Sequence, residues 1–155
     1  MNQIIKDSYY LIGLHQERFK KINGIRLTDM LYLIEAYYMT LYDAEYLYEE
    51  EFKVDMLGMY IKEINEKFKK TENIIINDEE MEIGKGISED RKKIIFKIYD
   101  LFGKLLDFKL HEELFSNDSP LQFIYAIPDV LAVYIRFNIS VPKSQTKKWF
   151  EENYL

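Results

Sequence analysis

The chain holds two imidazoles, His15 and His111, and no cysteine. The two histidines stand 96 positions apart, and neither lies in the His-x-x-x-His or His-x-x-Glu spacing that turns two metal ligands to one helix face. His15 falls on the apolar side of its segment and reads as a packed imidazole. His111 precedes Glu112-Glu113, the beginning of a His–carboxylate metal site that has no second His or Cys near it. Asp29 and Glu35 are carboxylates on one helical run, but six positions correspond to about 600° of rotation, so they face different ways. The acidic runs Glu49-Glu50-Glu51 and Asp78-Glu79-Glu80-Glu82 lack the glycine-bearing ligand spacing of a calcium loop. Gly84-Lys85-Gly86 lacks the length and the Lys-Ser/Thr of a phosphate loop. No nucleophile–base set emerges from the order of residues. The expectation is a chain that is not an enzyme and carries no catalytic, cofactor or metal residues.

Chemistry of recognition fits the residue types better. Tyrosine buries much area while keeping a hydroxyl for hydrogen bonding, which enriches it at interfaces. Tyr37, Tyr38, Tyr42, Tyr46 and Tyr48 gather at the end of one apolar helix and the loop after it. Tyr37 and Tyr38 read as core. Tyr46 and Tyr48, beside Glu49, Glu50 and Glu51, read as a partner-binding face. Trp149, Phe150 and Tyr154 form a second aromatic group near the end of the sequence. They serve either as a lid on the core or as an exposed anchor for a partner, and Trp149 and Phe150 join the candidate partner-binding residues.

The elements that must position these groups follow from composition and periodicity. At 155 residues with 48% hydrophobic and 15% aromatic content, the chain can bury one substantial core. It reads as a single domain over 1–155, with 142–155 as a C-terminal extension. Its net charge of −6 opposes non-specific nucleic-acid binding and favours a basic protein partner. Lys6, Asp7, His15 and Glu17 interrupt the N-terminal apolar residues, so no signal peptide is expected. No stretch reaches the ~18 uninterrupted apolar residues of a membrane span, and with cysteine absent a cytoplasmic setting is expected.

Along the chain, Gln3–Ile22 has helical apolar spacing. Asn23 is placed to cap a following helix over about Gly24–Tyr42, which is apolar nearly all round and is expected at the centre of the fold. Asp43–Glu51 reads as a loop and Met56–Lys70 as a striped helix. Asn73–Asp78, with Ile74-Ile75-Ile76, reads as a short strand that Glu80–Ile83 returns antiparallel. Ser88 caps a helix over Glu89–Leu106, and Leu110–Phe115 is a helical piece ending in a turn. Gln122–Ile127 reads as a strand, Pro128–Phe137 as a helix and Gln145–Leu155 as a final segment. The expected fold is mainly α (α+β), a compact helical domain around a central buried helix with a small β-hairpin or short strands.

Ile25, Leu27, Met30, Leu31 and Tyr32, followed by Ala36-Tyr37-Tyr38-Met39-Thr40-Leu41, match a Leu-Leu-Tyr core helix and the hydrophobic segment after it. Gly58, Gly103-Lys104-Leu105, Leu110 and Pro120 fall at further positions of the same pattern. On these residues the chain resembles the Panacea antitoxin domain, also called SocA-like, from about Lys6 to Ile135. Asp55 stands where that family has Trp, Leu114 and Phe115 where it has Thr-His, and Leu121 where it has a second Trp. The resemblance implies an antitoxin of a two-gene toxin–antitoxin pair, occluding a protein partner, with adaptor-like delivery of a partner to a protease among the family's functions. A phage-encoded anti-defence protein, similar to an anti-CRISPR that binds a host effector nuclease, is the neighbouring alternative.

Overall fold

The computed structural model describes residues 1–55, 58–116, 118–125 and 139–155; the expected helix over 128–137 lies outside them apart from its surroundings. In chain order the elements are α1 (Gln3–Glu17), α2 (Gly24–Tyr42), β1 (Lys53–Asp55), β2 (Gly58–Tyr60), α3 (Lys62–Lys67), α4 (Asp78–Lys85), α5 (Glu89–Phe102), α6 (Asp107–Leu114), α7 (Pro120–Tyr125) and α8 (Lys143–Tyr154). The chain is mainly helical, and among the described residues it has one small antiparallel hairpin, in which Val54 pairs with Met59. No helix among the described residues is long and apolar enough to cross a membrane.

α2 is the axis of the molecule. Arg26 through Ala36 is buried without interruption, because α1, α5, α6, α8 and β2 all pack against it. Its start is fixed as the sequence predicts: the Asn23 side chain accepts from the Arg26 backbone N–H at 2.9 Å. Its end is set by Asp43, whose left-handed backbone turns the chain out of the helix. α1 approaches α4 so closely that a Cβ on Gly84 would lie 2.6 Å from the Tyr10 backbone nitrogen. Only glycine permits that approach.

α8 belongs to this core. Trp149 and Phe150 are buried, Tyr32 Oη and Thr146 Oγ1 share a hydrogen bond at 2.9 Å, and the Val141 N–H donates to the Phe52 carbonyl. Residues 142–155 therefore act as a lid on α2, not as a projecting anchor.

Three expected elements differ. The helix over Met56–Lys70 is reduced to α3, because the chain first forms the hairpin, where Gly58 adopts φ +132°. The expected strand pair over 73–83 is instead an irregular segment followed by α4. Asn77 and Glu80 form a reciprocal capping box that starts the helix at Asp78, and this outweighs the β-branched Ile74-Ile75-Ile76 run. Residues 122–125 are helical within α7, begun by Pro120 at the helix start.

Candidate functional site

The two histidines have opposite surroundings. His15 is buried, its Nδ1–H donates to the Leu11 carbonyl at 2.9 Å, and its ring meets Tyr99 edge-on. Burial pushes its pKa down to about 4, so the imidazole is neutral near pH 7. It is a core residue. His111 is half-buried, with Nδ1 3.3 Å from Oδ2 of the buried Asp29. That hydrogen bond raises the His111 pKa, while burial raises that of Asp29. Gly58 lies under the imidazole: a Cβ there would come within 2.6 Å of His111 Cε1. The pair orients one ring nitrogen, yet no group of three or more His, Asp or Glu among the described residues could hold a metal.

Asp29 and Glu35 do point apart, and Glu35 proves to be the organising group of the loop after α2. Its Oε2 accepts the Leu47 and Tyr48 backbone N–H groups at 3.1 and 2.8 Å. Its Oε1 accepts from Lys143 Nζ at 2.7 Å, and Lys143 also donates to the Glu50 carbonyl at 3.0 Å. A second buried carboxylate, Asp7, accepts from Tyr48 Oη at 2.8 Å, from Gln3 Nε2 at 2.8 Å, and from Arg91 through Nε at 3.0 Å and Nη2 at 2.7 Å. Burial, with the Asp7 charge beside it, holds the Tyr48 hydroxyl well above its ordinary pKa, so it stays protonated and donates. Charged, bidentate hydrogen bonds of this kind are the strong ones. Together the two carboxylates fix the loop backbone from inside.

What the fixed loop presents outward is acidic and aromatic. Tyr46 is 49% exposed, Tyr42 and Leu41 are exposed on the last turn of α2, and Glu49 and Glu51 are exposed with Glu50 partly so. Asn2, Gln3, Tyr46, Leu47, Glu49 and Glu50 line a cleft of about 400 Å³, completed by Tyr48 and Arg91. Glu51 is held by Ser140 Oγ at 2.8 Å.

The structure thus brings Tyr46, Glu49, Glu50 and Glu51 together at one surface. It corrects three expected partner-binding residues. Tyr48 is 1% exposed because its hydroxyl is spent on Asp7, while Trp149 and Phe150 face α2. Sequence reasoning missed Asp7, Arg91 and Lys143, whose contacts Asp7–Tyr48, Arg91–Asp7 and Lys143–Glu35 span 41, 84 and 108 positions. Periodicity reports which face is apolar and carries no signal for such distant ion pairs.

No family model, no curated protein and no solved structure matches the chain.

Proposed function

We propose that the protein neutralises a protein partner by occlusion, as the antitoxin of a toxin–antitoxin pair, through the surface formed by Tyr46 and Glu49–Glu51. The observation that carries this reading is the clamped loop: buried Glu35 holds the Leu47 and Tyr48 amides and Lys143, so Tyr46 and the glutamates stand on a rigid base. A preorganised surface avoids the ordering cost of association, and an aromatic ring beside charged groups is the composition of a binding hot spot. Three adjacent glutamates steer a basic partner toward the surface and raise the association rate more than the affinity. The Asp29–His111 pair serves as internal support for β2 in this reading.

The test is co-expression with the product of the adjacent gene, scored as rescue from toxicity. Tyr46→Ala is expected to weaken complex formation by about tenfold or more, the effect of an interface hot spot. Replacing Glu49 and Glu51 by Lys is expected to slow association and to reverse its salt dependence. Undiminished rescue by both variants refutes this surface. Recovery of a host defence nuclease as the inhibited partner moves the function to anti-defence.

A further inference from the structure

A second surface, at the far end of α1, carries the opposite charge and an unexplained aromatic ring. After α1 the Phe19 N–H donates to the Gln16 carbonyl at 3.1 Å and the Lys20 N–H to the His15 carbonyl at 2.9 Å, with Phe19 at φ 57°. This is the helix-ending turn whose left-handed position ordinarily belongs to glycine, because a Cβ is unfavourable there. Here it holds a phenylalanine whose side chain is 98% exposed. The ring incurs backbone strain and hydration of apolar surface together, and it packs on nothing among the described residues.

The turn lies against α5. The Arg18 guanidinium sits 6.0 Å from the Phe96 ring centroid and 5.4 Å from that of Tyr99, and Lys20 Nζ sits 5.4 Å from Tyr99. Phe96 is 43% exposed and, with Tyr10, Lys93 and Lys97, lines an open cleft of about 400 Å³. Arg18, Lys20, Lys21, Lys93 and Lys97 form no ion pair among the described residues. The neighbouring carboxylates Glu17 and Glu89 are engaged by Lys85 at 3.7 Å and Lys92 at 3.0 Å. In a chain of net charge −6, cations without a carboxylate partner among the described residues are thereby concentrated beside two exposed rings, with Arg18 Nη1 donating to the Leu14 carbonyl at 3.1 Å.

We propose that this turn and α5 form a docking face for an acidic, amphipathic peptide segment of a protein partner. The segment's apolar side chains cover Phe19 and Phe96, and its carboxylates meet Arg18, Lys20, Lys93 and Lys97. A polyphosphate backbone fits less well, because its charge is unbroken along the strand, whereas Glu17, Glu89 and Asp100 are interleaved with the cations here and suit carboxylates spaced along an amphipathic segment. This face is separate from the Tyr46 surface and does not depend on it.

The experiment uses the full chain and a fluorescent synthetic peptide with Asp and Glu on one helical face and Leu and Trp on the other, followed by anisotropy. A scrambled peptide of identical composition and an oligothymidylate are the comparison probes. The amphipathic peptide is expected to bind more tightly than either, and to weaken as salt is raised. Phe19→Gly is expected to weaken it about tenfold or more while leaving the thermal midpoint unchanged or higher, which separates loss of the ring from loss of the fold. The double variant Lys93→Glu, Lys97→Glu is expected to weaken it as well, and Tyr46→Ala to leave it unchanged. Equal binding of the scrambled peptide, full affinity in Phe19→Gly, or loss in Tyr46→Ala overturns the proposal. Tighter, Phe19-dependent binding of the oligothymidylate overturns it in favour of single-stranded nucleic acid.

Discussion

The two ends of α1 handle polar groups in opposite ways. At the first end Asp7 is buried, and both its oxygens are taken by Gln3, Tyr48 and Arg91. At the last end His15 is buried with Nε2 unpartnered among the described residues, the nearby Tyr99 hydroxyl is unpartnered too, and Phe19 follows in a left-handed conformation. A fully satisfied polar network rigidifies what it touches, whereas an unsatisfied one stores cost in the fold. The first end builds a fixed loop. The second is where stability has been conceded.

The sharpest break of this contrast is Asp7→Ala. It leaves Arg91 and Tyr48 without their acceptor, and removing one partner of a buried ion pair costs about 3–5 kcal/mol. Chemical denaturation is expected to show that loss, with the Tyr46 loop becoming protease-sensitive first. The contrast fails if Asp7→Ala is as stable as the parent.

Next in size is the acid response of His15. Its folded pKa of about 4 lies below the ordinary 6.5, so the folded state resists the proton that the unfolded state accepts. The associated stability is fully present above pH 6.5 and is lost as pH falls toward 4. The total loss is on the order of 3 kcal/mol. His15→Leu is expected to flatten the urea-midpoint profile across that window. His111 titrates in the opposite sense, since Asp29 raises its pKa: its contribution is present below pH 6.5 and is lost as pH rises through the folded value. His111→Gln separates the two.

The smallest effect has the opposite sign. Phe19→Gly relieves a left-handed Cβ clash worth about 1 kcal/mol and removes an exposed ring, so the thermal midpoint is expected to rise slightly. A lower midpoint would mean that the ring supports the fold.

The helices that are long and regular in pattern were legible. α2 and α5 carry apolar stripes or near-continuous apolar runs, and Asn23 and Ser88 cap them as expected, each accepting a backbone N–H three residues on. The short segments were not. Ile74-Ile75-Ile76 has the composition of a strand, yet Ile75 is exposed and Ile76 is buried with its N–H donated to Gln16 Oε1 at 3.0 Å. No neighbouring strand among the described residues pairs with it. The candidate surface was legible in part. A tyrosine in a polar loop can point either way, and Tyr46 and Tyr48, two positions apart, face solvent and core respectively because only Tyr48 reaches Asp7.

The sequence by itself determined a helical chain built around one nearly all-apolar helix, its caps, and a net negative charge. These are properties of local spacing and of sums over residues. Tertiary structure alone decided that Glu35 and Asp7 serve the interior, that α8 is a lid, and that cations without carboxylate partners among the described residues collect beside Phe19 and Phe96. The reason is physical: whether a charge is buried or displayed depends on the partner brought within hydrogen-bonding reach, and these partners come from chain segments up to 108 positions away.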